Sequence, residues 1–273
     1  MTKFFYTILA SNLLLSCSNV PDYNDPIPEH DNFSVESEFV NEERVINVWT
    51  PPQYDDANAS FPVLYMPDGG VKEDFPHIAN TLGKLIMEEK IAPIILVGIE
   101  NTERGRDLTG FSTSDYDKQY CPQTDGAKNF RAFISEELFP LINENYRTNE
   151  LKGIIGESLA GLFVTETFMI RPSTFDFYIA MDPSLWWNSH YLVDHADSLL
   201  SRLPQNKLTY WFAGSSAGDI SKYTNSIASD LQKLEEGNLA WEYSDQPNEK
   251  HHTIFRATKE EALIWAINQA HRE

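Results

Sequence analysis

Cysteine is almost absent from this chain of 273 residues: Cys17 and Cys121 are the whole complement. A disulfide-framed fold is therefore excluded, two isolated thiols make no zinc pattern, and the core must hold together by burial. Positive charge is also scarce, with 21 Lys and Arg against 41 Asp and Glu and a formal net charge of −20 at pH 7. That balance argues against nucleic acid and anionic lipid surfaces as partners, since both are repelled at long range. The acidic residues are spread without a tail-like run, as suits the solubility of an exported protein. Long apolar runs are missing as well. The stretch Phe4–Leu15 is too short to span a bilayer, and no internal repeat or second domain is visible.

What is present at the N-terminus is a targeting pattern. Lys3 precedes the apolar stretch, and Leu14-Leu15-Ser16-Cys17 closes it in the manner of a lipobox, which makes Cys17 the expected site of lipidation. The alternative is an ordinary secretory signal with an incidental cysteine. The expected organisation is thus a signal over 1–17, a flexible tether rich in Pro, Asp and Asn over 18–32, and a single domain over 33–273, exported to a bacterial cell envelope. Cys121, in the loop-like Tyr120-Cys121-Pro122, has no base near it in sequence and is not expected to be a nucleophile.

From Phe33 onward, periodicity organises the chain. Phe33–Phe39 and Arg44–Trp49 read as a hairpin around Asn41-Glu42-Glu43. Apolar strands at 62–66, 93–99, 153–155, 177–181, 208–213 and 239–243 then alternate with helical patterns at 75–89, 127–145, after Ser158, at 220–234 and at the C-terminus. That alternation predicts an α/β fold, a mostly parallel sheet of about eight strands covered by helices on both faces. The segment 100–126 has little periodicity. It follows a strand at the carboxyl edge, where ligands bind in open α/β sheets, so it is expected to overhang a site.

The segment Gly153–Phe163, GIIGESLAGLF, runs an apolar strand into Gly-x-Ser and out into an apolar helix. A serine at such a turn stands clear of its neighbours, where a base and backbone N–H groups can serve it. Ser158 is the candidate nucleophile, between the small residues Gly156 and Ala160; the bland alternative is an N-capping serine.

A catalytic serine needs an acid and a histidine later in the chain, at strand ends. Asp219, after the small-residue loop Gly214-Ser215-Ser216-Ala217-Gly218, is the favoured acid, with Asp182 second and Asp245 third. Asp219 is also well placed to cap a helix. The base is expected in Glu249-Lys250-His251-His252-Thr253, with His251 favoured over His252 because adjacent side chains of an extended segment point in opposite directions. Oxyanion donors are expected at the N–H of Leu159 and in the turn Pro67-Asp68-Gly69-Gly70, at Gly70. Asp68, Arg106, Trp186 and Trp187 are candidate substrate contacts. For Asp68 the alternative is to stiffen its turn; for Arg104 and Arg106 it is pairing with Asp107 or another carboxylate. The two tryptophans are expected to split, one into the core and one into the pocket.

Together PVLYMPDGG, NTERGRDLTG, GESLAG, MDPSLWWN and the late histidine resemble the esterase D-like branch of the α/β-hydrolase superfamily, over nearly the whole chain after the tether. That branch includes siderophore esterases, feruloyl and acetyl esterases and mycolyltransferases. The resemblance implies an α/β-hydrolase fold, Ser158 as nucleophile, His251 as base and the N–H groups of Leu159 and Gly70 as oxyanion hole. Ala160 stands where the second elbow glycine is usual, Asp182 where the family often has serine, and Gly110 where proline is usual. The expected activity is hydrolysis of small-molecule carboxylic esters through an acyl-enzyme, with no cofactor and no metal. Acyl transfer on the same residues, and ligand capture without turnover, are the competing readings.

Overall fold

The computed structural model describes residues 24–234 and 237–272. Cys17 and the signal expected over 1–17 lie outside the described residues. Each apolar run bounded by turn residues forms a strand: β1 (Asp31–Ser37), β2 (Glu42–Trp49), β3 (Phe61–Pro67), β4 (Ile95–Ile99), β5 (Thr148–Glu157), β6 (Phe177–Met181), β7 (Leu208–Ser215) and β8 (Leu239–Gln246). Between them lie α1 (Phe75–Met87), the short α2 (Arg104–Asp107), α3 (Gly126–Ala132), α4 (Phe139–Asn145), α5 (Leu159–Ile170), α6 (Trp187–Asp194), α7 (Ala196–Leu200), α8 (Gly218–Leu231) and α9 (Ile254–His271). A π-helical turn, Phe133–Leu138, joins α3 to α4, so the single helix read over 127–145 is one rod with a widened middle.

The strands form one sheet in the order β1-β2-β4-β3-β5-β6-β7-β8. β1 and β2 pair antiparallel, and β2 meets β4 antiparallel. From β4 to β8 every pairing is parallel. Strands buried on both faces need apolar residues at every position, and β3, β4 and β6 are buried throughout. Alternate residues serve opposite layers. Val63 and Tyr65 of β3 join Phe130, Phe163 and Ile227 in the layer of α3, α5 and α8, while Leu64 and Met66 join Ile78, Leu82, Leu263 and Ile267 in the layer of α1 and α9. Gly153 makes room in the sheet for its cross-strand neighbour, since a Cβ there would lie 2.1 Å from the Phe177 ring.

Residues 24–30, read from sequence as part of a tether, lie against this body. Asn80 donates to the Pro26 carbonyl at 2.7 Å, the His30 ring sits 5.2 Å from that of Phe75, and Asp25 pairs with Arg256. Cys121 is buried, and burial raises its thiol above the ordinary value.

From β3 the chain goes to β4 on one side and then crosses back past β3 to β5 on the other, so the sheet changes winding direction between β3 and β5. Ligands bind at the carboxyl ends of strands at such a point. The turn after β3 is packed against β4 tightly enough to need glycine: a Cβ on Gly69 would stand 2.2 Å from the Ile99 amide nitrogen and 2.3 Å from Gly98 Cα. These are backbone atoms that cannot swing away. Gly69→Ala is expected to destabilise the fold by about 2–3 kcal/mol, read as a lower midpoint in urea unfolding at unchanged slope.

Candidate active site

Ser158 occupies the turn between β5 and α5 with φ 59° and ψ −116°. This is a costly backbone for a residue with a Cβ, and the surrounding contacts impose it. The Ser158 amide donates to the Met181 carbonyl at 3.0 Å, and the Ser158 carbonyl accepts from the amides of Leu162 at 2.8 Å and Ser184 at 3.0 Å. The small neighbours earn their place sterically. A Cβ on Gly156 would come within 2.7 Å of the Ala160 backbone and methyl, and one on Gly161 within 2.7 Å of the Met181 carbonyl. The buried methyl of Ala160 therefore fits where a second glycine is usual because Gly156 opposite has no side chain.

The side chain beside Ser158 is His251. Its Nε2 lies 3.1 Å from Ser158 Oγ and its Nδ1 lies 2.6 Å from Asp182 Oδ2. In the tautomer these partners require, Nδ1–H donates to the carboxylate and Nε2 accepts from the serine hydroxyl. The imidazole is carried by a turn between β8 and α9 closed by the Thr253 amide on the Lys250 carbonyl at 2.9 Å. The turn is tied to β7 by the Ser216 amide donating to the Glu249 carbonyl at 3.0 Å. His252 is exposed.

The acid against the imidazole is Asp182, where the sequence favoured Asp219. Strand register decides this. Glu157 and Met181 are paired residues of neighbouring parallel strands, so Ser158 and Asp182 are each the first residue past those strand ends. Asp182 is fully buried, with φ 47°, and its carboxylate also accepts from the Ser215 amide at 2.5 Å and the Ser215 hydroxyl at 2.8 Å. Asp219 is instead carried away on the first turn of α8, exposed on the wall of the cleft. Asp245, on β8, is exposed as well.

The turn after β3 differs from expectation in one respect. The Gly70 amide donates to Glu73 Oε2 at 2.7 Å, so a carboxylate already holds the N–H expected to face an oxyanion. Asn101 donates to both Glu73 and Asp68. Asp68 makes a two-pronged pair with Arg104, 2.7 Å at each contact, and Arg104 also donates to the Glu157 carbonyl at 3.3 Å. Asp68 thus clamps the turn to the overhanging segment. Leu159, at the first position of α5, has an N–H without an intrahelical acceptor by position alone. Arg106 is remote from this cleft: it pairs with Asp107 at 2.7 Å and Glu42 at 2.6 Å, in a network that includes buried Arg44.

The two tryptophans divide. Trp187 is buried, its indole N–H donating to the Gly110 carbonyl at 3.0 Å, whereas Trp186 lines the cleft. The cleft has a volume of about 280 Å³ and opens over Ser158 and His251, with Tyr116, Tyr120 and Asp219 on its walls. The aperiodic segment 100–126 supplies both tyrosines, which sequence reasoning did not single out; their clustering with Trp186 needs three-dimensional proximity. Buried Asp117 pins this segment, accepting from Ser112 Oγ at 2.5 Å and the Asn188 amide at 2.7 Å. A larger cavity of about 840 Å³ between Phe111, Arg131, Ile170 and Tyr191 touches neither Ser158 nor His251. Among the described residues no group of three or more His, Cys, Asp or Glu side chains is placed to hold a metal ion.

The hydrogen bond to Asp182 raises the His251 pKa, against an opposing effect of burial and with help from Glu157. Glu157, next to the serine, is pushed up to about 8, first by burial and then by Asp74, Asp182 and Asp68, while His251 opposes the shift.

Residues 37–265 match the protein family described as "Putative esterase". The chain belongs to this family. It is 26% identical over 253 residues to the ferri-bacillibactin esterase BesA of Bacillus subtilis, covering 84% of this chain and 86% of that protein. It also superposes on an IroE-like serine hydrolase from Shewanella oneidensis with a TM-score of 0.78 and 26% identity, over 87% of this chain and 79% of the other. The BES protein from Bacillus cereus shares the fold, with a TM-score of 0.78 at 21% identity over 89% and 98% of the two chains. The chain is a carboxylic ester hydrolase of the serine type with an α/β-hydrolase fold.

The Glu157 shift has a consequence for stability. Between its ordinary value of 4.5 and about 8, the folded protein keeps a proton on Glu157 that the unfolded chain releases, so this group makes stability fall as pH rises through that window. Glu157→Gln removes the cost. The variant is expected to gain more in urea midpoint, relative to the parent, at pH 9 than at pH 5.

Proposed function

We propose that Ser158, His251 and Asp182 act as one catalytic unit in this esterase. Ser158 Oγ attacks the ester carbonyl carbon as His251 Nε2 takes its proton, and Asp182 holds the imidazole by Nδ1 and stabilises the imidazolium that forms. The Leu159 N–H meets the developing oxyanion; the Gly70 N–H joins it once Glu73 releases it. Collapse of the tetrahedral intermediate expels the alcohol, which receives the proton from Nε2. Water then attacks the acyl-enzyme with His251 as base and restores Ser158. The observation that supports this assignment best is the unbroken chain from buried carboxylate to imidazole to strained serine, 2.6 and 3.1 Å long at its two contacts.

Similarity to a ferri-bacillibactin esterase supports a siderophore-type ester as the substrate, and the N-terminal targeting pattern supports its hydrolysis in the cell envelope. No helix among the described residues is long and apolar enough to cross a membrane. Leu14-Leu15-Ser16-Cys17 supports attachment by a lipid on Cys17. Radiolabelled palmitate fed to cells expressing the full chain is expected to enter the parent protein and not Cys17→Ser; equal labelling would refute the anchor.

Ser158→Ala is expected to lower kcat for p-nitrophenyl acetate by at least about 10⁴-fold and to abolish labelling by a fluorophosphonate probe. Asp182→Asn is expected to cost about 10²–10⁴-fold. Because the base works only when deprotonated, activity rises with pH through the raised His251 pKa. Loss of the Asp182 charge removes the cause of that rise, so the acid limb of the pH–rate profile shifts to lower pH in the Asn variant. A retained limb and rate would refute the role of Asp182.

A further inference from the structure

We propose that the cleft beside Ser158 holds an ammonium subsite, formed by Tyr116, Tyr120, Trp186 and Asp219, which selects esters carrying a positively charged substituent. The inference rests on the serine-esterase reading and deepens it by naming the charge of the substrate: it narrows the siderophore-type ester proposed above to one whose substituent at this cleft is cationic.

Three aromatic rings stand together on one wall. The centroids of Tyr116 and Tyr120 are 5.2 Å apart, those of Tyr120 and Trp186 5.3 Å, and those of Tyr116 and Trp186 6.2 Å, with the last pair edge to face. Both tyrosines are more than half exposed, at 56% and 55%, although such rings ordinarily bury their surface. They are held in this position by a pinned loop: buried Asp117 lies in the turn between them and fixes it to Asn188. Trp186 is anchored by its buried neighbour Trp187.

Aromatic faces carry negative electrostatic potential and attract cations, most strongly where a carboxylate adds full charge and water is partly excluded. Asp219 supplies that carboxylate on the same cleft. No Lys or Arg side chain among the described residues lines the cleft. The nearby Lys250 points its ammonium to Ser216 Oγ at 3.4 Å, outside the lining. The net charge of −20 extends the attraction beyond the cleft. An anionic substituent placed here would meet Asp219 with no Lys or Arg on the cleft to neutralise it.

The test compares acetylthiocholine with its uncharged isostere, 3,3-dimethylbutyl thioacetate, using the purified chain. The parent is expected to show kcat/KM about ten-fold or more higher for the cation. Asp219→Asn and Trp186→Ala are each expected to reduce that preference several-fold, and 0.5 M NaCl to weaken it, given the screening length of about 3–10 Å across this range of salt. Labelling of each variant by a fluorophosphonate reports that its serine site is folded. If the isostere is hydrolysed as fast as the cation or faster, the subsite is wrong while the esterase reading stands. If Ser158 is labelled but neither thioester turns over, protection from labelling decides: phenyltrimethylammonium must slow it more than tert-butylbenzene does, and less so in Asp219→Asn, or the proposal falls. Absence of both labelling and turnover would overturn the esterase reading and the subsite together.

Discussion

The parallel pairing of β5 with β6 is the constraint on which the site depends. Parallel register aligns strand ends, so the pair Glu157 and Met181 brings the next residues, Ser158 and Asp182, to the same edge as neighbours. Neither side chain needs a long loop to reach the other, and both sit on elements buried in the core. The imidazole of His251 then has one place to lie, between the two. Its loop is tied to the end of β7 through Ser216 and Glu249, and Ser215 of that strand bonds the far side of the Asp182 carboxylate. Three strands and one loop thus hold three side chains with few independent freedoms, which is the condition for a reactive geometry without reorganisation.

Backbone strain gathers at the same edge. Asp68, Ser158 and Asp182, which follow β3, β5 and β6, all have positive φ, as do Asn188, Ser189 and His190 where α6 begins beyond Trp187. Each such residue costs of the order of 1–3 kcal/mol and persists only where surrounding contacts over-determine it. Those contacts are visible: Arg104 on Asp68, three backbone hydrogen bonds on Ser158, Ser215 on Asp182, and Asp117 on Asn188. The fold beneath supplies what the edge spends. Val63, Tyr65, Leu64, Met66, Ile154 and Ile155 are essentially inaccessible to water, so the central strands form a stiff base for a strained rim.

How much of this could be read beforehand follows from the range of the interactions. Strands and helices were legible because apolar periodicity is local, and the sheet is eight-stranded and mostly parallel as the alternation implies, whereas its strand order had no local signal. Ser158 and His251 were legible as positions because a strand-to-helix turn between small residues and a late histidine loop have sequence signatures. The acid was not. Asp182 and Asp219 both follow strands and both lie between Ser158 and His251 in the chain. Only strand register separates them, since Asp219 comes after β7 has ended at Ser215 and the chain has turned into α8. Arg106, a candidate substrate contact, instead makes the pair with Asp107 that was its stated alternative, and adds Glu42, 64 positions away, which has no local signal. Tyr116 and Tyr120 lie in a segment without periodicity, so their meeting with Trp186 had no local signal.

The carboxyl groups crowded at this edge raise an electrostatic question, since His251 must be neutral to accept a proton. An ionised Glu157 would favour the imidazolium and so work against a base. The structure resolves the conflict by treating the two carboxyl groups unequally. Asp182 is given donors on each oxygen, from the Ser215 amide, the Ser215 hydroxyl and the imidazole itself. Glu157 is given burial and neighbouring acids instead, and a carboxyl in those surroundings holds its proton up to about 8. The Asp182 carboxylate lies along the bond that fixes the tautomer, on the Nδ1 side of the imidazole, while the carboxyl beside the serine stays predominantly neutral. Two acids flanking one histidine can coexist with a base on this fold because burial among other acids keeps the proton on Glu157, while donors surround the carboxylate of Asp182.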